Sequence, residues 1–162
     1  MKKLTTCLWF DHQAEEAARF YVSIFKNSKM GSVTRYGEEA AKAAGRPKGS
    51  AMVVTFELNG QKFMGLNGGP VFKFTEAISF VVSCATQKEL DRYWAKLTAG
   101  GAEVQCGWLK DKYGLSWQIV PTVLSKLMSG KDPKKSERVM KAMLQMKKIN
   151  IKGLQQAARS SQ

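Results

Sequence analysis

The side chains that could do chemistry are few and scattered. There is one histidine, His12, with the carboxylates Asp11, Glu15 and Glu16 around it. Together they would make at most a weak cation site, but helix starts attract acids for dipole reasons alone, and a lone histidine there reads as a cap or a surface residue. The three cysteines, Cys7, Cys84 and Cys106, are widely spaced, odd in number and lack any CxxC. They read as reduced thiols in a cytoplasmic protein, not as a disulfide frame or a zinc site. Cys7 and Cys84 fall on strand-like segments and are expected to be buried and inert. No histidine is placed to activate any of them, so no nucleophile–base pair stands out. The one glycine cluster, GLNGGP (65–70), opens no obvious helix, so it does not match the strand–turn–helix that cradles a nucleotide-like cofactor.

Charge points elsewhere. The formal net charge is +13 over 162 residues. Residues 126–162 hold ten Lys/Arg against two Asp/Glu. Such a tail is either a solvated helix face or a patch for polyanions; without a recognition motif the solvated face is preferred, and no nucleic-acid partner is expected. Hydrophobic residues make up 44% and charged residues 24%, a globular balance that argues against disorder. No apolar run approaches the ~18 residues of a membrane span, and the first residues lack the apolar stretch of a signal peptide.

The elements that must hold these residues come in a repeated order. Residues 4–10 read as a strand, then a helix with Asp11 as cap and Ala14, Ala17, Ala18, Tyr21, Ile24 and Phe25 at helical spacing, stopped at Asn27. Strands follow at 32–36, 50–58 and 61–67, the last two joined at Asn59-Gly60, a strong hairpin signal. Between them, 37–49 is either a lid hinged at Gly37 and Gly45 or a surface loop with one helical turn. The second half begins with a strand at 76–84. A capping box, Thr86-Gln-Lys-Glu89, then starts a helix carrying Leu90, Tyr93, Trp94 and Leu97. Strands at 102–109 and 115–120 flank a turn at Asp111–Gly114, and a short strand near Cys106–Lys110 completes the set. Phe20-Tyr21 and Tyr93-Trp94 occupy matching helix positions and are read as core; Phe63 and Trp117 match after the two final turns, with Trp117 a weaker candidate than Trp108 to border a pocket because alternation turns it toward the helices. Each half is therefore βαβββ. Asp132-Pro133 starts a last amphipathic helix running to about Ile149, whose wide apolar arc (Val139, Met140, Met143, Leu144, Met146) suits both its own domain and a second subunit.

On three segments, LWFDHQAEEAARFYVSIF (8–25), CGWLKDKYGLSWQIVPTVL (106–124) and VMKAMLQMKKINIKGLQQA (139–157), the chain resembles the PhnB-like family of the vicinal oxygen chelate superfamily, which includes glyoxalase I, extradiol dioxygenases and bleomycin resistance proteins. The resemblance implies an α+β fold of paired βαβββ modules (about 1–70 and 75–122) in a domain over 1–125, forming a curved mixed-sheet cup. Residues 126–162 would be a basic helical extension, and the protein a homodimer. It also implies four strand positions that in superfamily enzymes carry His or Glu around one divalent ion. By register these fall on Thr6, Met64, Ser79 and Gln118. None is a good ligand for a transition ion, so neither a metal nor another cofactor is expected. Leu8 beside Thr6, and Trp108, would complete an apolar wall with a few orienting polar groups, the make-up of a small-molecule pocket. The function expected is that of a metal-independent metabolite-binding protein or an enzyme of unknown reaction. The alternatives are a divalent-metal enzyme with displaced ligands and a basic anion-binding module. Many relatives carry a demethylubiquinone methyltransferase label, which the absence of a cofactor turn discounts.

Overall fold

Alternating large and small or polar residues along LTTCLWF and AMVVTFEL can bury one face only, and the chain folds accordingly. A computed structural model describes residues 4–129 and 132–160. Two compact units divide it, Met1–Lys73 and Phe74–Gln162. The first contains β1 (Thr6–Phe10), α1 (Ala14–Ile24), β2 (Lys29–Arg35), α2 (Glu38–Ala44), β3 (Ala51–Leu58) and β4 (Gln61–Asn67). The second contains β5 (Ser79–Cys84), α3 (Gln87–Thr98), β6 (Ala102–Glu103), β7 (Trp108–Lys110), β8 (Ser116–Pro121), α4 (Val123–Met128), α5 (Pro133–Leu144) and α6 (Ile151–Arg159). The strands form two four-stranded sheets, ordered β1-β4-β3-β2 and β5-β8-β7-β6. In each sheet the first and last strands pair parallel and the others antiparallel. The fold is thus α+β, built from two βαβββ modules.

Each module packs its helix on one sheet face. In the first unit Tyr21 is fully buried and stacks on Phe56 at 6.3 Å, which stacks on Phe63 at 5.4 Å. Ala14, Ala17 and Ala18, all fully buried, let α1 sit close to the sheet. In the second unit Leu90, Trp94 and Leu97 of α3 share the core with Leu109, Trp117 and Ile119. Each such large side chain removed from water contributes roughly 2 kcal/mol.

The turn at Asn59-Gly60 forms as read, with φ of 48° and 80°. The capping box forms with one change: Thr86 Oγ1 accepts from Glu89 N at 3.2 Å, while the Glu89 carboxylate accepts from Ala85 N, one residue before the cap, at 2.9 Å. Asp11 does not cap α1. The cap residue is Gln13, whose side chain makes no capping bond, and the Ala14 amide donates to Asn67 Oδ1 at 2.8 Å. Asp11 instead pairs with Arg46 at 3.3 Å and His12 at 3.3 Å. Of the two readings of 37–49, the helical turn is the one that forms. It extends to α2, closed by Gly45 at φ 62°, with Ala41 buried and Arg46 tied to Asp11.

The C-terminal segment is not one helix to Ile149. Asp132 caps α5 as expected, but α5 ends at Leu144 and a second helix, α6, starts on Asn150, whose side chain accepts from Gly153 N at 2.9 Å. The connection between them lies along the β6–β7 loop: Cys106 N and Gly107 N donate to Met146 O and Lys147 O, both at 2.7 Å. Gln87 of α3 clasps its end, donating to Ile149 O and accepting from Ile151 N. Val139, Ile149 and Leu154 are fully buried.

Candidate functional site

Because α1 and α3 each cover one face, the opposite faces of the two sheets are where side chains remain available. In the second sheet, Trp117, Ile119 and Leu109 face α3. The register then places Ser79, Val81, Trp108, Ser116 and Gln118 together on the other face: Ser79 is level with Ser116, Val81 and Trp108 with Gln118. Gln118 Nε2 donates to Ser79 Oγ at 2.9 Å. Val81 is 58% exposed, while Ser116 is 1% exposed and its hydroxyl has no protein partner. Lys110, on the same face, pairs with Glu76, and that pairing holds the Glu76 carboxyl below its ordinary range. The expected residues Ser79, Trp108 and Gln118 are thus brought together.

The first sheet departs from the expectation. Thr6, Leu8 and Phe10 lie level with Phe63, Gly65 and Asn67, the face that packs on α1; Leu8 is 5% exposed. Cys7 and Trp9 occupy the other face, level with Met64 and Leu66. The reason is a single residue. Phe10 and Ala14 are joined by three residues, Cys84 and Gln87 by two, so the spacing that matches the helices does not match the first strands. Thr6 corresponds to Phe80, each level with the aromatic residue after the final turn. Met64 keeps its place as the counterpart of Gln118.

Met64 borders a cleft of about 310 Å³ within the first unit, lined also by Thr5, Lys29, Gly31, Thr55, Glu57 and Lys62. The sequence reading missed these polar residues, although the Asn59-Gly60 turn holds the signal: a two-residue loop fixes Glu57 opposite Lys62 and Thr55 opposite Met64.

The donors present do not suit a divalent transition ion. At the four strand positions stand a thioether, an amide already bonded to a hydroxyl, and a threonine on the helix-packed face; all are neutral. Among the described residues no three His, Cys, Asp or Glu side chains come together. His12 is 61% exposed and engaged with Asp11. Cys84 is buried, which pushes its thiol up to about 11; Cys7 is exposed rather than buried, yet partial desolvation raises its thiol too. Neither is a thiolate nucleophile at neutral pH. The glycine cluster after β4 does not open a helix. Gly68 N donates to Phe10 O, Trp9 Nε1 donates to Gly69 O, and the next element is β5.

Fold likeness defines the class. FosX, a fosfomycin resistance protein from Listeria monocytogenes crystallised with Mn(II) and sulfate, is 14% identical, with a TM-score of 0.51 over 78% of this chain and 94% of that one. A protein from Pseudomonas aeruginosa is 16% identical, with a TM-score of 0.58 over 74% and 96%. These likenesses show the fold, an α+β arrangement of two βαβββ modules.

Within it the match narrows. The family model described as 3-demethylubiquinone-9 3-methyltransferase matches residues 2–120. The PhnB protein from Bacillus cereus, which bears the same methyltransferase description, is 38% identical with a TM-score of 0.66, covering 75% of this chain and 100% of that one. The chain belongs to this PhnB-like family. No curated protein matches it.

Proposed function

We propose that the chain is a metal-independent binding protein for a small organic molecule, seated on the Ser79–Trp108–Gln118 face. One observation carries this reading: the Gln118 amide and Ser79 hydroxyl are bonded to each other at 2.9 Å on a face where Trp108 and Val81 lie level with Gln118. That leaves the Gln118 carbonyl and one N–H for a ligand, against an apolar wall, as small-molecule sites require. The unpartnered Ser116 hydroxyl on the same face supports it, since a buried hydroxyl without a partner costs free energy that a ligand or water can recover. Among the described residues no glycine-rich turn runs from a strand into a helix, so the methyltransferase description of the family is not adopted.

A homodimer fits the same reading. Leu144 is 53% and Met140 36% exposed on α5, an apolar remainder of the kind subunits cover. Free cysteines suit a reducing, cytoplasmic setting. Light scattering should give twice the chain mass.

A thermal-shift screen against a metabolite library, with and without Zn, Ni, Mn or Fe, tests the function. The expected outcome is a hit whose shift ignores the ions and disappears in Gln118→Ala. A stoichiometric ion in the purified protein, or a shift that requires one, would overturn metal independence. A shift unchanged by Gln118→Ala would overturn the placement.

A further inference from the structure

The first unit's sheet carries a graded surface that the reading above does not use. On the face away from α1, its side chains stand in rows set by strand register. The lowest row runs Lys29, Glu57, Lys62 across β2, β3 and β4, with Thr5 just before β1. The next is Thr55, Met64 and Cys7. The third is Val53, Leu66 and Trp9. Polarity therefore falls over three rows, from two ammonium groups and one carboxylate to Val53, Leu66 and Trp9, with Thr34 of β2 beside Val53 as the one polar member.

The charged row is unbalanced. Lys29 pairs with Glu57 at 3.3 Å. Lys62 faces the same carboxylate across the hairpin, but among the described residues it has no ion pair, leaving the row one positive charge in excess. The hydroxyl of Thr55 is held in place, accepting from Ser32 N at 2.8 Å at the irregularity in β2. Gly31 makes room for it, because a side chain there would collide with Thr55 Oγ1. The first row and, from the second, Thr55 and Met64 line the 310 Å³ cleft, a volume at the small end of organic-ligand sites, which span about 300–1,000 Å³.

We propose that this cleft is a second binding site, for a small carboxylate with an apolar body. The carboxylate would sit on Lys62 and the Lys29–Glu57 pair, where the excess charge lies. The body would lie over Met64, whose flexible thioether adapts to different shapes, toward Leu66 and Trp9. A neutral molecule would leave the Lys62 charge unanswered, and a dianion would meet Glu57. Every residue named for this site lies in the first unit.

Isothermal titration of the full chain with octanoate and with benzoate, against octanol and benzyl alcohol as uncharged counterparts, tests the proposal. The expected result is one acid bound per chain, with its alcohol about tenfold weaker. The tighter acid shows whether the body is an acyl chain or a ring. Lys62→Glu should weaken the acid about tenfold and leave the alcohol unchanged. Lys62→Gln should do so less, and it carries the test if the reversal disturbs the melting curve. Met64→Glu should abolish acid binding, while Gln118→Ala should leave it intact. The proposal is overturned if neither acid binds, if acid and alcohol bind equally, or if the Lys62 variants bind as the parent does. Loss of binding in Gln118→Ala would also overturn it, by moving the acid to the other face.

Discussion

The two halves share a topology but stabilise it by different means. The first starts its helix with a side chain 53 positions away, as Asn67 accepts from Ala14 N, donates to Ala51 O, and through its backbone carbonyl accepts from Tyr36 OH. The second starts its helix locally, with Thr86 and Glu89. The final hairpins differ in another way, both being held locally. The first half turns on Asn59-Gly60 by backbone conformation. In the second half a buried carboxylate, Asp111, accepts from Tyr113 N, Leu115 N and Trp117 Nε1 at 2.9–3.1 Å. One fold therefore tolerates either local or distant satisfaction of the same backbone amides, provided that each is met.

Substitutions can break that contrast, and the largest effect should come at Asp111. Asp111→Ala strands three donors in the second core and should cost about 4 kcal/mol in urea unfolding. A loss below about 1 kcal/mol would mean that the turn holds itself, as its counterpart does. Next is Asn67→Ala, which leaves a buried amide and a buried carbonyl unmet and should cost about 3 kcal/mol. The comparison depends on its exceeding Thr86→Ala, expected at about 1 kcal/mol because solvent can replace an exposed cap. Equal losses would show that distance confers nothing. The smallest effect lies at Asp91, whose carboxyl is held below its usual range first by Lys148 and then by Gln87. A lowered folded value stabilises above the ordinary carboxylate pKa of about 3.9 and is lost as pH falls through it. Asp91→Asn should therefore cost less than about 0.5 kcal/mol at pH 7, after solvent screening, and nothing at pH 2. A gap that widens with acid would refute the sign.

What could be read in the sequence follows the same division between near and far. The Asn-Gly turn, the Thr86 box and the Asp132 cap are written in four or fewer neighbouring residues, and all three form. The Asn67 cap is not local: nothing near Ala14 names its partner, and Asp11 was the plausible neighbour. Face assignment failed for Thr6 and Leu8 because a one-residue difference between two connections inverts a strand, whereas Met64 and Gln118 held because their turns fix the register directly. Ser79, read as the counterpart of Thr6, lies on the open face, whereas the residue that corresponds to Thr6 by register is Phe80. The break after Leu144 did have a signal, Asn150 three residues before Gly153, masked by apolar spacing that continues past it.

The seating of residues 146–147 on 106–107 bears on how the protein can be cut. Gly107, at φ 83°, stands where any Cβ would lie 2.8 Å from Ile119 O and 3.1 Å from Ile149. The loop is thus moulded around the chain that arrives from α5. A fragment trimmed near residue 120, where the family match stops, would keep every strand yet forfeit the only backbone that answers the Cys106 and Gly107 amides, and would bare the apolar seat of Ile149. The distal quarter of the polypeptide is structural masonry for its own half, and trimming it would yield a fragment prone to clump rather than a smaller working protein.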